Sequence, residues 1–399
     1  MRAHPNPRDQ HPKWVVSLLA LACGLVVANL YYGQPLAGTI SQALGLPRQA
    51  AGLVVTMTQA GYGLGLLLVV PLGDLLDPRA VVRAALVLLS LALLAAGLAP
   101  VAPLFLGAAV MIGLAASAVQ VMVPFASHLA APEERGKVVG QVVGGLMIGI
   151  MLARPAASLV AQVASWRAPL LISAALMAPL GLVLGVLLPS RKPDHGHSWA
   201  SLMASMGRLM AETPLLRRRA LYQACMFGAF SVFWTASPLL LLGPDYGLNQ
   251  AQVAIFALVG AAGAVSAPLT GRWADRGWSR IGSLIAMGVA ALSFLLSRLA
   301  PAHSMAGVAL LAASGVLLDF SVTCTLVFGQ KAIYGLSETA RSRMNGLFIA
   351  TFFVGGAISS ALAGWTYAQG GWALTSWLGA ALPACAFLYA LTDSKPATA

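Results

Sequence analysis

The chain has 399 residues, of which 59% are hydrophobic and only 9% are charged, and its formal net charge is +12. This composition excludes an ordinary soluble globular protein, in which about a quarter of the residues are charged. Because the apolar runs are long and unbroken, we predict an integral membrane protein whose spans are helices of about 20 residues each.

Six apolar runs predict an N-terminal half over residues 1–188. They lie near 14–37, 50–72, 80–99, 103–127, 138–162 and 168–188. The basic start MRAHPNPRDQHPKW leads into a full-length apolar run rather than a short one with a cleavage site. We therefore expect the first helix to be a retained signal anchor.

A polar segment, residues 189–218, is predicted to be a cytoplasmic linker to a C-terminal half over residues 219–399. The second set of apolar runs lies near 219–242, 250–270, 281–299, 304–328, 344–367 and 374–391. The four cysteines fall in apolar runs on different predicted helices, and no Cys and His spacing matches a zinc site. The predicted fold class is an all-α membrane protein with 12 transmembrane helices, without a metal or other cofactor.

The basic residues lie in small groups between the apolar runs, as topology signals do, rather than in one nucleic-acid-binding surface. If the N-terminus is cytoplasmic, most of the 24 Lys and Arg residues fall in inner segments, and the outer connections hold only Arg48, Arg167 and Arg298. The excess of positive charge on the inner side predicts that both termini are cytoplasmic.

The two halves repeat each other. VPLGDLLDPR, which contains Asp74, aligns with TGRWADRGWSR, which contains Asp275, and each joins the second and third helix of its half. Further along, EERGKVVGQ aligns with TARSRMNGL at an offset that also pairs Trp166 with Trp372. Equal topology in both halves predicts parallel repeats related by an axis along the membrane normal.

These features resemble the major facilitator superfamily over nearly the whole chain. The family's signature loop reads roughly Gly-x-Leu-Ala-Asp-Arg-x-Gly-Arg-Arg, and the second copy matches it well at Asp275, Arg276 and Arg280. The first copy is degraded and keeps Asp74 and Arg79.

A further resemblance is to bacterial efflux permeases of the drug and arabinose type. It rests on NLYYGQPL from Asn29, MLARP around Arg154 and ETARSRMNG from Glu338. The fourth helix lacks the membrane Arg of many proton-coupled relatives, and the fifth lacks the Gly-Pro-x-x-Gly-Gly antiporter signature. Proton exchange therefore does not follow from the resemblance alone.

The resemblance implies that Asp74 and Asp275, with Arg79, Arg276 and Arg280, form a conformational latch at the cytoplasmic face. Asp74 would meet the N-terminus of the eleventh helix and Asp275 that of the fifth, where helix dipoles are partly positive. Such contacts would close the inner face while the outer face is open. The alternative is that these carboxylates are solvated and only set the topology.

Asp319 lies inside the tenth apolar run, and in this family the tenth helix lines the central cavity. A lone charge near mid-membrane costs roughly 2.5 to 3.5 kcal/mol, so it usually faces a partner or a watery cavity. Asp319 is our candidate for proton coupling. It could instead bind a cationic substrate, or be fixed structurally by hydrogen bonds from Ser321 and Thr323.

Arg154 lies inside the fifth apolar run, about two-thirds of the way along a helix that leaves the cytoplasm. The rise of a helix places it very roughly 10 Å from Asp319 in depth, which favours a shared aqueous cavity over a direct ion pair. Arg154 would attract an anionic group or act on Asp319. The alternative is that its side chain extends to the outer interface.

Polar and aromatic side chains on the first, second, fourth and seventh helices complete a predicted amphipathic pocket. In the membrane, such groups bind substrates or hydrogen-bond neighbouring helices, and single aromatic residues often only pack. The predicted cavity residues are Arg154, Asn29, Tyr32, Gln34, Tyr62, Gln120, Gln223 and Trp234.

We predict a secondary active transporter that works by alternating access, not an enzyme. The leading form is proton-coupled efflux, by antiport, of small amphipathic compounds across the bacterial inner membrane. The sequence contains no GxxxxGK[ST] motif for ATP. Predicted partners are a small-molecule substrate, protons and the lipid bilayer, without nucleic acid, and the chain is expected to be a monomer.

Two other functions remain open. The first is uptake or facilitated diffusion of a sugar or organic anion, for which Arg154 would matter more than Asp319. The second is a transporter-like sensor, which would bind its ligand without moving it across the membrane.

Overall fold

The structure is a computed structural model that describes residues 13–131, 134–190, 198–299, 304–337 and 340–393. Every regular element within these ranges is a helix, which confirms the all-α fold class. In the first half the α-helices are α1 (Lys13–Ala28), α2 (Gly33–Ala43), α3 (Leu53–Leu68), α4 (Leu72–Leu75), α5 (Pro78–Leu98), α6 (Ala102–Ala116), α7 (Val119–His128), α8 (Arg135–Val163) and α9 (Ala168–Leu187). In the linker and second half they are α10 (Trp199–Glu212), α11 (Pro214–Leu242), α12 (Gln250–Ala257), α13 (Ala262–Asp275), α14 (Ser279–Leu296), α15 (Met305–Tyr334) and α16 (Arg341–Leu391).

Ten helical segments in the described ranges are long and apolar enough to cross a membrane, so the chain is a multi-pass membrane protein. The last of them, α16, is 51 residues long and breaks at Gly370 and Gly371, where φ of Gly371 is 57°. This left-handed conformation favours glycine and divides α16 into two helices. In the eighth predicted span, the short helices α12 and α13 are joined by a 3₁₀ segment, Leu258–Ala261. The count of twelve spans stays a prediction.

The first span bends between α1 and α2. Pro35 has no N–H with which to continue the helical ladder to Tyr31, so the chain makes tight turns between Ala28 and Gly33. This bend changes which side chains of the first span face the centre of the molecule.

The predicted linker contains a helix that the sequence analysis did not anticipate. α10 begins with a reciprocal cap between Ser198 and Ser201, and its Leu202 and Met206 are buried. Arg343, near the start of α16, donates a hydrogen bond to Ser205 at 2.8 Å. The boundaries 1–188, 189–218 and 219–399 stay a prediction, and residues 191–197 of the linker lie outside the described ranges.

The end of the bundle at which α10 lies and α8 and α16 begin is here called the linker end, and the opposite end is the far end. At the far end the two halves meet backbone to backbone. A Cβ atom on Gly364 would lie 2.5 Å from the Gly52 nitrogen and 3.0 Å from its Cα. Ser360 donates a hydrogen bond to the Gly52 carbonyl at 3.3 Å, and Thr56 donates one to the Ala357 carbonyl at 3.0 Å. The far end is therefore closed by direct helix contact.

Candidate functional site

A cavity of about 450 Å³ lies between the two halves. Its lining includes Arg154 of α8 and Asp319 of α15, and it continues toward the linker end past Val139, Gln330 and Asn345. These three residues lie in the linker-end parts of α8, α15 and α16. The cavity thus reaches the linker end while the far end is closed.

Arg154 is held mainly by aromatic side chains. It is 2% exposed, and its Nε donates a hydrogen bond to Gln34 Oε1 at 2.6 Å. Its guanidinium carbon lies 4.1 Å from the centre of the Trp234 ring, 5.0 Å from that of Phe230 and 5.2 Å from that of Tyr31. A desolvated cation over such a ring gains about 2 kcal/mol. Arg154 therefore faces the interior and does not extend to the outer interface.

Asp319 is 4% exposed and accepts a hydrogen bond from the indole Nε1 of Trp234 at 2.9 Å. Thr323 donates to the main-chain carbonyl of Asp319 rather than to its carboxylate, at 2.9 Å. The suggested fixing of the carboxylate by the Thr323 hydroxyl is thus not what this structure contains. The Trp234 indole of α11 donates the hydrogen bond to the carboxylate instead.

Arg154 and Asp319 converge on Gly260 without forming a direct ion pair. A Cβ atom on Gly260 would lie 2.9 Å from Arg154 Nη1 and 3.1 Å from Asp319 Oδ2, so these two atoms are at most about 6 Å apart. At that distance the attraction is about 3 kcal/mol for an effective dielectric constant of about 20, similar to the aromatic contacts. Trp234 and Asp319 together hold the guanidinium.

The charged atoms of Arg154 and Asp319 lie within about 6 Å of each other, closer than the depth difference of roughly 10 Å expected from helix rise alone. The helix α15 extends to Tyr334, beyond the predicted end of its span at 328, which puts Asp319 in the middle of its helix.

Other predicted cavity residues divide into two groups. Tyr62, Gln120 and Gln223 line the cavity, and Gln120 Nε2 donates a hydrogen bond to the Tyr62 hydroxyl at 3.2 Å. Gln223 Nε2 donates to the Val322 carbonyl at 3.3 Å. Gln34 contacts Arg154, and Trp234 contacts both Arg154 and Asp319.

Asn29 and Tyr32 lie elsewhere, because the bend between α1 and α2 turns them away from the cavity. The Asn29 amide donates to the Leu25 carbonyl at 2.9 Å, and its oxygen accepts a hydrogen bond from Ser173 of α9 at 2.7 Å. Tyr32 lies in a separate groove between α1 and α8. Tyr31, one residue earlier, lines the cavity instead.

An aromatic cluster in the cavity wall contains two residues that the sequence does not predict, Phe227 and Phe353. Phe227 packs against Phe230 with ring centres 5.2 Å apart and against Phe353 at 4.8 Å, and Tyr62 packs against Phe353 at 4.4 Å. The spacing of Phe227 and Phe230 puts both on one face of α11. An aromatic residue in a membrane helix gives no further sequence signal that separates a cavity face from a lipid face.

Two buried donors at the charged end of the cavity lack a hydrogen-bond partner. They are Arg154 Nη2 and Gln34 Nε2, which belong to side chains that are themselves hydrogen-bonded to each other. A buried donor without a partner loses its interaction with water without replacement. Arg154 lines the cavity, so its Nη2 has a hydrogen bond to offer to an acceptor group there, whereas Gln34 is fully buried behind it.

The predicted latch residues lie near the linker end and make contacts within their own halves. Asp275 forms an ion pair with Lys331 at 2.6 Å, and Arg280 donates to the Asp393 carbonyl at 2.7 Å. The amide of Arg79 donates to the Asp77 carboxylate at 3.1 Å. Arg276 directly follows α13, and its main-chain amide donates a hydrogen bond to the Arg272 carbonyl.

The side chain of Asp74 lies outside the part of the chain that the structure describes. Arg135 and Lys137, the expected surroundings of Asp275 at the start of the fifth span, are exposed. The predicted latch belongs to a conformation with a closed linker end, whereas the cavity here reaches that end. The latch therefore stays a prediction.

Comparison with known proteins gives consistent similarities. The model of the Major Facilitator Superfamily matches residues 17–312 and 219–399. The chain is 35% identical over 375 residues to the "Uncharacterized transporter YgaY" of Escherichia coli O157:H7, covering 92% of each chain. It is 34% identical to the "Probable transporter SCO4007" of Streptomyces coelicolor, covering 92% of this chain and 84% of that one.

Two solved structures share the fold at low sequence identity. One is the nucleoside transporter NupG, at a TM-score of 0.74 and 14% identity, covering 94% of this chain and 99% of that one. The other is a bacterial homologue of the human lysosomal transporter Spinster in an inward-facing, unoccupied conformation. It gives a TM-score of 0.70 at 15% identity, covering 97% of this chain and 95% of that one.

Proposed function

Since this chain belongs to the major facilitator superfamily of transporters, we propose that it exports small amphipathic compounds in exchange for protons, by alternating access. The position of Asp319 is the observation that carries this proposal. Among the described residues that line the cavity, it is the one carboxylic acid. It lies where the two halves meet, and the absence of a direct ion pair leaves both its charged and its neutral form available.

The cavity wall suits an amphipathic substrate. Phe227, Phe230 and Phe353 offer apolar ring faces, and Tyr62, Gln120 and Gln223 offer hydrogen-bonding groups. Ligand pockets generally measure about 300 to 1,000 Å³ with a few polar groups in an apolar wall, a range that includes this cavity.

The closed far end and the cavity at the linker end correspond to one of the two states of alternating access. The distribution of Lys and Arg supports a cytoplasmic linker end, so we assign this conformation as the inward-facing one. We further propose that the protein acts as a monomer in the bacterial inner membrane with both termini in the cytoplasm.

The test is proton movement in proteoliposomes that contain the purified protein and an enclosed pH-sensitive dye. Three probes that share a phenyl ring and carry a fixed positive, zero or negative charge would be compared: benzyltrimethylammonium, phenyl glucoside and benzenesulfonate. If the protein exchanges its substrate for protons, uptake of the cationic or the neutral probe into the vesicles should release protons from them. Probe flux that leaves the internal pH unchanged, with and without a pH gradient, would contradict proton coupling.

A second candidate function is supported by the free donor Arg154 Nη2. A cationic guanidinium with an unused donor in the cavity wall favours an anionic substrate, because a carboxylate or sulfonate accepts a charge-assisted hydrogen bond from it. Uptake or facilitated diffusion of an organic anion predicts flux of benzenesulfonate and none of the cation. Binding of a probe in a thermal-shift measurement, without flux of any probe, would instead favour the sensor.

A further inference from the structure

We infer that Trp234 is the positioning residue that links the proton on Asp319 to closure of the far end. This inference rests on the proposed function, because it assumes that Asp319 gains and loses a proton during transport. Trp234 is 1% exposed and belongs to α11 in the second half, as Asp319 of α15 does. Arg154 belongs to the first half, so the stacking of its guanidinium on the indole is a contact between the halves.

The indole is fixed by its surroundings. Its ring centre is 5.3 Å from that of Phe233 and 5.9 Å from that of Phe256. On a third side, a Cβ atom on Gly260 would lie 3.2 Å from the indole Cζ2. These contacts leave the indole little room to rotate. Weakening of its hydrogen bond to Asp319 therefore shifts the whole side chain together with α11.

The next residue of α11 belongs to the far-end contact. Thr235 and Ser360 share a hydrogen bond between their hydroxyls at 2.9 Å, and Ser360 also donates to the Gly52 carbonyl. Asp319, Trp234, Thr235, Ser360 and Gly52 thus form a continuous series of contacts. It runs from the carboxylate to the point at which the halves meet.

Protonation of Asp319 weakens the first contact of this series, the hydrogen bond from the Trp234 indole. The charged carboxylate accepts a charge-assisted hydrogen bond from the indole and attracts Arg154, and the neutral acid does neither as strongly. The charged and titratable groups that act on Asp319 are Arg154 of α8 and Tyr31 of the first span. When the carboxylate is neutral, Arg154 loses its counter-charge, and the contact between the halves at Trp234 weakens. Acid conditions should therefore favour opening of the far end.

Accessibility of a single cysteine in reconstituted full-length protein tests this sequence of events without a known substrate. Ala51 is buried next to Gly52, so Ala51→Cys, with the four native cysteines replaced by serine, reports opening of the far end to an impermeant maleimide. Because maleimide reacts with the thiolate, each labelling rate is divided by the rate of the same protein denatured at the same pH. In otherwise unchanged protein, this normalised labelling should increase from mildly alkaline to mildly acidic pH. Trp234→Phe keeps a ring beneath Arg154 but removes the indole N–H that donates to Asp319. The pH-dependent change in its labelling should therefore be about threefold smaller than in the otherwise unchanged protein, or absent.

Trp372→Phe is the matched control, because the Trp372 indole donates to Ser297 at 2.9 Å outside the cavity. It should keep the original pH profile. A second variant, Gly260→Ala, places a methyl group between Arg154, Asp319 and Trp234 while none of these three residues is substituted. It should also flatten the pH profile. Gly288→Ala, at a glycine of α14 with open space around it, is its control.

Asp319→Asn distinguishes failure of proton coupling through Asp319 from failure of the role inferred for Trp234. If it retains the pH profile, proton coupling through Asp319 is wrong and the role of Trp234 is wrong with it. If Asp319→Asn abolishes the profile while folded Trp234→Phe and Gly260→Ala retain it, only the role of Trp234 is overturned. If all three flatten it and both controls do not, the inference holds.

Discussion

The sequence offset that pairs Trp166 with Trp372 also pairs Arg154 with Ser360, and these two residues contact successive residues of one helix. Arg154 stacks on Trp234, and the Ser360 hydroxyl lies 2.9 Å from that of Thr235. The same position in the fold therefore holds a cation facing the cavity in the first half and a small residue sealing the far end in the second. This difference between the repeats puts the charged site and the far-end contact next to each other on α11.

Asp319→Asn should abolish transport driven by a pH gradient and leave exchange of substrate for substrate intact. Asparagine keeps the size and the hydrogen-bond acceptor for the Trp234 indole, but it cannot bind and release a proton. Counterflow of whichever fixed-charge probe the wild-type protein transports, measured in proteoliposomes at equal pH on both sides, is the decisive assay. Loss of both activities in a folded variant would point to substrate binding by Asp319, and retention of pH-driven transport would exclude it as the proton site.

Arg154→Lys should reduce transport by at least about tenfold, which corresponds to about 1.4 kcal/mol. Lysine retains the charge but loses the Nε donor to Gln34 and the planar group that stacks on Trp234. Initial rates of probe uptake, together with the melting temperature, would be compared with the wild type.

Arg167→Lys is the matched control for this substitution. Arg167 also stacks on a tryptophan, Trp166, at 4.3 Å and donates to the Gly97 carbonyl at 2.8 Å, but at the far end of the bundle. We expect it to lower the melting temperature without a comparable loss of transport. Equal transport by Arg154→Lys and wild type would rule out recognition that depends on the guanidinium geometry.

The family and the helical fold are predictable from the sequence because both depend on patterns that the bilayer imposes. Apolar runs, the bias of basic residues and the loop motif around Asp275 are independent of side-chain packing. Arg154 and Asp319 also stand out in the sequence, because a charge in an apolar run is costly wherever its partner lies. The helix α10 was missed because it lies outside the apolar runs, where hydropathy gives no signal.

The site itself was only partly predictable. Gln34 and Trp234 were expected on grounds of polarity, but the bend before Pro35 decides that Tyr31 rather than Tyr32 faces the cavity. Gly260 carries no chemical group that a sequence pattern can single out. Its importance comes from the space that it leaves for three side chains from other helices, which only the packed structure reveals.

Asp275→Asn should slow transport, whereas Lys331→Ala should not. The ion pair of Asp275 with Lys331 is exposed, and exposed pairs contribute little to stability. The latch hypothesis instead gives Asp275 its partner at the start of α8 in the opposite conformation. Rates of probe flux and the accessibility of a cysteine at cavity residue Val139 would be measured for both variants. Equal effects of the two substitutions, or no effect of either, would leave the latch without support.

Gly364→Ala should hold the far end open. The added methyl group would lie 2.5 Å from the Gly52 nitrogen and 3.3 Å from the Gln49 carbonyl oxygen, so α16 and the start of the second span cannot approach as they do here. Overlap with backbone atoms is not relieved by a change of rotamer, and strain of this kind typically costs about 1 to 3 kcal/mol. The population with a closed far end should fall accordingly. Maleimide labelling of Ala51→Cys should increase at neutral pH, and labelling from the linker end should decrease.

Gly346→Ala provides the control on the same helix, because a Cβ atom there has open space within 4 Å. It should leave labelling at both ends unchanged and, as a glycine-to-alanine change within a helix, increase thermal stability slightly. If Gly364→Ala labels like Gly346→Ala while both remain folded, the backbone contact between Gly52 and Gly364 does not limit closure. If Gly364→Ala alone is trapped with an open far end, transport of every probe should fall, since the substrate then has access from one side only.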